Sequence, residues 1–171
     1  DLPTDVSLSF VSDLDGEFYT PVANSLGEFN FGYSNLSAGF HTVTATATNT
    51  IGLSSSESIT IHINTLPTSP LVTISPLPAY YNDDLTVTAS GSTDDDGDAV
   101  GYSYQWYKDG STTTYTSLTI PASATSDGET WRVEVVPHDG FNDGEMGEAS
   151  VYIFDSGPAV YNIMISPSVA V

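Results

Sequence analysis

Residues 40–48 read F-H-T-V-T-A-T-A-T and residues 58–63 read S-I-T-I-H-I. Both stretches alternate apolar and hydroxyl side chains, so Ile59, Ile61 and Ile63 share one face. A strand buried on one side and wet on the other needs that period of two. The alternation recurs at 84–90 (D-L-T-V-T-A-S), 102–107 (Y-S-Y-Q-W-Y), 115–120 (Y-T-S-L-T-I), 130–136 (T-W-R-V-E-V-V) and 149–153 (A-S-V-Y-I). Between them lie Asp-Gly pairs at 15–16, 96–97, 109–110, 127–128, 139–140 and 143–144, and prolines at 67, 70, 76 and 78. Short strands at this spacing, without runs of helix formers, predict an all-β chain of antiparallel β-sandwiches.

Composition narrows the function before any motif does. The chain has 171 residues, 22 Asp and Glu, and a formal net charge of −20. Hydrophobic residues make up 39% and aromatics 11%, too many for a disordered acidic tail. Lys108 and Arg132 are the only Lys or Arg residues, so no basic surface forms. Nucleic acid and anionic membranes are thereby excluded as electrostatic partners. What such a chain attracts is a cation. The absence of Cys excludes a disulfide framework, a thiolate zinc site and a cysteine nucleophile. No apolar stretch approaches the roughly 18 residues of a membrane span. The chain begins with Asp1 rather than Met and shows no signal peptide, which leaves upstream sequence open.

Two boundaries stand out. The segment N-T-L-P-T-S-P at 64–70 places two prolines within four residues, a short stiff connector between strands. A second boundary falls at D-S-G-P, 155–158. The tripeptide I-S-P occurs at 74–76 and again at 165–167, an offset of 91 residues, the length of one small sandwich. That phasing is the mark of a tandem array. The expected organisation is a module at 1–65, a module at 66–157, and at 158–171 the first strand of a further module.

Residues 66–157 resemble the tandem immunoglobulin-like modules of large bacterial and archaeal surface proteins, akin to the PKD and cadherin-like classes. The resemblance is carried by P-L-V-T-I-S-P at 70–76, D-D-L-T-V-T-A-S at 83–90 and D-D-D-G-D-A-V at 94–100. It continues in Y-S-Y-Q-W-Y-K-D-G at 102–110, P-A-S-A-T-S-D-G-E-T-W at 121–131 and V-P-H-D-G at 136–140. It implies strands A at 70–76, B at 84–90, C at 102–107, F at 130–136 and G at 148–154, with Trp106 as the core tryptophan. Residues 1–65 resemble a related module through S-L-S-F-V-S-D-L-D-G at 7–16, L-S-A-G-F-H-T-V-T-A-T-A-T-N at 36–49 and S-I-T-I-H-I-N at 58–64. There the D-L-D-G turn would follow strand C, with Phe10 where a Trp is usual, and strands A and B would lie before Asp1. The alternative phasing makes 6–10 strand B. The uncharged strand at 158–171 then has two readings. It is a donor to the open sheet edge of a neighbouring copy, or the chain is an excerpt cut mid-module.

The acidic residues are unevenly placed: 7 of the 22 fall in 1–65, 15 in 66–157 and none beyond. Two clusters, 94–98 and 139–148, lie in the B–C and F–G loops of the resemblance, which meet at one end of such a sandwich. Calcium takes six to eight hard oxygen ligands, and D-x-D-x-D spacing directs alternate carboxylates to one point. Asp94, Asp96 and Asp98, with Asp139 and Asp143 from the facing loop, are the candidate calcium ligands. The competing reading is a solvated acidic loop, but opposed carboxylates a few ångströms apart cost about 1 kcal/mol per pair even in water. Asp13, Asp15 and Glu17 form a thinner set. Since the 64–70 linker enters at the same end, the ion is expected at the module junction, stiffening a string into a rod. A halophilic origin would explain the charge alone, though not its clustering.

Catalytic signatures are absent. No Ser sits in a G-x-S-x-G elbow, and there is no phosphate loop and no H-E-x-x-H. His41 and His62 fall at solvent-facing phase on their strands and read as surface residues; His138 adjoins the acidic loop. Tyr80, Tyr81, Tyr107, Tyr115 and Phe141 are candidate stacking platforms for a glycan, or simply cover sheet faces. Asn35 lies in the sequon N-L-S, a candidate glycosylation site. The expected function is a non-enzymatic structural unit of an extracellular, cell-surface assembly, with other copies or neighbouring modules as partners. The alternative is an adhesive or carbohydrate-binding accessory module of a secreted protein.

Overall fold

The computed structural model describes residues 6–22, 24 and 28–155. The strand expected at 158–171, with its donor role, lies outside the described residues. The chain forms two compact units. One holds residues up to Pro67 together with Thr93–Val100 and Asp139–Asp143; the other holds Thr68–Ser92, Gly101–His138 and residues from Gly144 on.

The second unit is an immunoglobulin-like sandwich. Its strands are β5 (Leu71–Ser75), β6 (Ala79–Tyr80), β7 (Leu85–Ser90), β8 (Gly101–Lys108), β9 (Ser111–Thr112), β10 (Thr119–Ile120), β11 (Thr130–His138) and β12 (Gly147–Phe154). One sheet has the order β10-β7-β5 and the other β6-β12-β11-β8-β9. Only β6 runs parallel to its neighbour β12. The inward positions are those the period of two selects. Val72 and Ile74 come from β5, Leu85 and Val87 from β7, Trp131, Val133 and Val135 from β11, and Val151 and Ile153 from β12. Trp106 of β8 is fully buried at the centre, as the resemblance implied, and meets Trp131 edge to face at 6.4 Å. Each indole N–H donates, Trp106 to the Ser117 carbonyl and Trp131 to the Glu129 carboxylate, both at 2.9 Å. A buried indole left without a partner would lose much of what its burial gains.

The strand expected at 115–120 shrinks to Thr119–Ile120. The reason is local. The Tyr115 carbonyl accepts from Trp106 N–H, the Thr113 carbonyl from the Gln105 amide, and the Ser117 carbonyl from the Trp106 indole. Residues 113–117 therefore serve the side chains and end of β8 instead of a ladder. Between β8 and β9 the turn is the two-residue pair Asp109–Gly110, with φ of 48° and 78°. Both positive values fit the twist of a tight hairpin, which is why Asp-Gly stands there.

The first unit carries one four-stranded antiparallel sheet, β2-β1-β3-β4, from β1 (Val6–Ser12), β2 (Gly16–Tyr19), β3 (Gly39–Asn49) and β4 (Ser54–Ile63). This order repeats β9-β8-β11-β12 of the second unit strand for strand. The register sets Phe10 beside Ala45, Leu8 beside Ala47 and Val43 beside Ile59 on one face. Residues 28–33 cover part of that face: Phe31 contacts Phe10 at 4.7 Å and stacks on Tyr19 at 4.2 Å. The isoleucine face expected to be buried is only partly so. Ile61 and Ile63 are half-buried and Ile59 is 63% exposed.

Two outcomes follow for the second unit. Trp106→Ala removes the centre of its core and is expected to cost about 3–5 kcal/mol in urea unfolding followed by Trp131 fluorescence. Glu134 is held below its ordinary value of 4.5 by the Tyr107 hydroxyl and then by Arg132. A depressed carboxylate stabilises the fold above its unfolded value and loses that contribution as the pH falls through its folded value. The difference in Tm between the native chain and Glu134→Gln should thus be full at pH 7 and shrink below about pH 4.5.

Candidate metal centre

The acidic loop turns on its own carboxylates. Asp94 accepts from the Asp96 N–H at 3.1 Å, and Asp96 from the Asp98 N–H at 3.4 Å. Gly97, at φ 85°, closes the turn with its N–H on the Asp94 carbonyl. This two-residue repeat brings Asp94, Asp96 and Asp98 to the half-buried side and leaves Asp95 exposed. The spacing read from the sequence therefore has a structural counterpart.

The loop is moored to the end of β4, within the first unit. Thr65 donates its N–H at 2.7 Å and its hydroxyl at 3.2 Å to Asp96 Oδ2. Three residues earlier, His62 Nε2 lies 3.5 Å from Asp98 Oδ2 and 3.7 Å from Asp96 Oδ2. The Asp96 side chain is fully buried, and those of His62 and Asp98 are 12% and 20% exposed. His62, Asp96 and Asp98 form a group whose ligand atoms all lie within 4.8 Å of one another. The imidazole is fixed between rings: it stacks on Phe40, its cross-strand neighbour, at 3.9 Å and 4°, and meets Phe141 edge to face at 4.5 Å.

Four polar atoms around this group are buried without a hydrogen-bond partner among the described residues: His62 Nε2, Asn64 Oδ1, Asp94 Oδ2 and Asp98 Oδ2. Buried polar atoms are ordinarily satisfied, so four orphans in a stretch of neighbours require a reason. Asp94 is pushed above the usual carboxylate range, first by its side-chain hydrogen bond with Asp96 and then by burial. The same bond, with the Thr65 N–H, holds Asp96 below it. Opposite shifts in neighbouring carboxyls are what crowded acids show when their charges repel. Oxygens from three Asp residues and one amide suit a divalent cation.

The other candidate ligands sit differently. Asp139 is buried, and both its oxygens are engaged: Oδ1 by the N–H groups of Phe141 and Asn142, each at 2.7 Å, and Oδ2 by the Asn64 amide at 2.9 Å. Those bonds, led by the Asn142 N–H, lower its pKa. Asp139 thus ties its loop to Asn64, next to the residue that holds Asp96. Asp143 is exposed and stands apart from the His62 group. His138 belongs to the second unit, where its ring covers Gly101 so closely that a Cβ there would fall 2.5 Å from it.

The thinner set is structural. Asp13 caps the Thr42 N–H and Asp15 the Ser37 N–H, both at 2.8 Å, and these bonds lower both carboxyls. His41 is fully buried, contrary to its reading as a surface residue. Its Nδ1 lies 2.7 Å from Ser12 Oγ and its Nε2 2.8 Å from the Ser37 carbonyl. Ser12, His41 and Asp15 resemble a hydrolase triad in composition only. Nε2 serves a backbone carbonyl, and Ser12 Oγ is buried and accepts the Leu14 and Asp15 N–H groups. These bonds pin the Asp-Leu-Asp-Gly turn.

His62 was also read as a surface residue, yet it is the nitrogen donor of the group. The available signal is weak: it lies near the end of a strand, two residues before the 64–70 connector. Among the aromatic platforms, Tyr107 lies under Arg132 at 4.2 Å and donates to Glu134, and Tyr115 packs on Trp131 at 6.0 Å. Tyr81 and Phe141 are exposed at 42% and 57%. Asn35 is exposed in the connection between β2 and β3.

The architecture defines an immunoglobulin-like β-sandwich protein. No protein-family model matches the chain, and no curated protein matches it. Among solved structures it is similar to the fibronectin(III)-like modules of Clostridium thermocellum CbhA, at 14% identity over 91% of this chain and 80% of that one, with a TM-score of 0.38. It is also similar to murine CEACAM1b, at 14% identity over 88% and 85% of the two chains, with a TM-score of 0.43. No helix among the described residues is long and apolar enough to cross a membrane.

The turn clip is testable. Ser12→Ala deprives two N–H groups and the His41 ring of their partner, and should cost about 1–3 kcal/mol in thermal unfolding of the first unit.

Proposed function

We propose that the chain is a non-enzymatic structural unit of an extracellular surface assembly, built from tandem immunoglobulin-like modules akin to the PKD and cadherin-like classes and stiffened by bound calcium. The observation that carries the reading is the buried, unsatisfied oxygen set of Asp94, Asp98 and Asn64 beside Asp96. A divalent cation there would remove the repulsion among the three carboxylates. It would clamp the 93–100 loop to the end of β4. Asp139, which is tied to Asn64, and Asp143 complete the proposed ligand set. Partners are other copies or neighbouring modules, with segment 158–171 as the candidate linking strand.

A second reading rests on exposed aromatics along one edge. Tyr152 and Phe154 are each 47% exposed with rings 4.9 Å apart, and the Tyr81 N–H bonds the Phe154 carbonyl. Such rings are the platform an adhesive or carbohydrate-binding module uses. Electron microscopy separates the two readings: filaments or a lattice support the first, a monomer retained on a glycan array the second.

For the cation, thermal melts in excess chelator and in calcium are decisive. At 100 times its Kd, calcium should add about 2.7 kcal/mol and raise the Tm by several degrees. The double variant Asp96→Asn, Asp98→Asn should show no such rise. An identical native melt in both solutions would remove calcium from the account.

A further inference from the structure

We propose that His62 is itself a ligand, so that the site selects a borderline transition-metal ion, of which zinc is the probe, over an all-oxygen ion. The inference rests on the reading that the 93–100 loop holds a cation; it concerns which one. Calcium and magnesium are held by oxygens, whereas imidazole suits zinc and its transition-metal neighbours. His62 Nε2 is the atom of the ring that faces the two carboxylates, and it is buried without a hydrogen bond among the described residues. A buried ring nitrogen normally donates to or accepts from something, and the groups Nε2 has in reach are the two carboxylates, at ion-pair rather than hydrogen-bond distance.

The spacing also fits. Zinc bonds to nitrogen and carboxylate oxygen are about 2.0–2.2 Å, so ligand atoms at the corners of a tetrahedron stand about 3.4 Å apart. The separations from Nε2 to Asp98 Oδ2 and Asp96 Oδ2 are 3.5 and 3.7 Å. Three protein ligands with further coordination positions open result, and the orphan oxygens Asp94 Oδ2 and Asn64 Oδ1 lie on the neighbouring residues. The supporting shell is of the kind metal sites need. The Thr65 N–H and hydroxyl orient the Asp96 carboxylate, and Phe40 and Phe141 fix the plane of the imidazole.

The test uses the tag-free chain, stripped with chelator and titrated separately with zinc, cobalt(II) and calcium chloride. Zinc and cobalt should raise the Tm at concentrations at least 10-fold below those calcium needs, and cobalt should give the visible absorption of a low-symmetry site containing nitrogen. His62→Gln should weaken zinc by more than about 10-fold while leaving the calcium response in place. X-ray absorption at the zinc edge of the native chain gives a readout that needs no variant, because an imidazole ligand adds outer-shell scattering that oxygen ligation lacks. If calcium stabilises the chain while zinc binds native and His62→Gln alike, and the zinc edge shows oxygen only, the imidazole is not a ligand and the calcium reading survives. If no ion moves the melt, both readings fall together.

Discussion

Two Lys or Arg residues serve 22 carboxylates, and both are committed within the second unit. Lys108 pairs with Glu129, and Arg132 pairs with Glu134 and Glu148 while lying over the Tyr107 ring. Every other carboxylate that leaves water must therefore be compensated by something other than a cationic Lys or Arg. That constraint explains why backbone N–H groups are so often aimed at aspartates here. Asp13 holds Thr42, Asp15 holds Ser37, Asp83 holds Tyr80, Asp84 holds Ala122 and Asp109 holds Thr130. Each bond fixes a loop, and those on Asp13 and Asp15 also favour the ionised form.

The same constraint separates structural aspartates from candidate ligands. Asp139 shows the limit of full satisfaction: buried, with three N–H bonds on its two oxygens. Asp94 and Asp98 each keep one buried oxygen with no such bond among the described residues, and they do so beside a buried imidazole nitrogen in the same condition. An acidic loop that merely conferred solubility would turn these oxygens to water, as Asp95 does. Charge alone could not make that distinction, because the sequence shows five aspartates at 94–98 and 139 as equivalent carboxylates. What differs is the supply of donors, and that is a property of the folded backbone.

The legible and illegible parts of the chain divide along the same line. Strand positions were legible because burial on one face imposes alternation: Trp131, Val133 and Val135 announce their sheet directly. The inward aim of Asp94, Asp96 and Asp98 was legible because an i to i+2 turn is local. Three features were not. The 115–120 segment alternates as a strand does, but its carbonyls are taken by Trp106 and Gln105. His41 shares its face with Val43, Ala45 and Ala47, so alternation directs it inward against its polar type, but nothing in the sequence shows that Ser12 and Ser37 satisfy both its ring nitrogens there. His62 meets Asp96 and Asp98 across more than thirty residues of sequence, a proximity that no spacing encodes. Polar residues read as exposed by default, and these two histidines are the cases where long-range partners override the default.

Why a cation should matter more to one unit than the other follows from their interiors. The second unit closes two sheets over a continuous core centred on Trp106 and Trp131. The described part of the first unit is a single sheet with few buried side chains: Val43 and Pro67, with the polar Ser12, His41 and Asp139. Further apolar contacts come from the aromatic group of Phe10, Phe18, Tyr19, Phe31 and Tyr33 on one flank. Small cores of this kind contribute only a few kcal/mol, and a bound ion adds on that same scale. A carboxylate group left in need of a positive charge is a cost in such a unit when apo and a comparable gain when occupied. The His62 group stands at the end of β4 opposite that aromatic flank, where β3 and β4 have Phe40 and Phe141 for cover but no second sheet among the described residues. A metal there would supply the order that apolar burial does not.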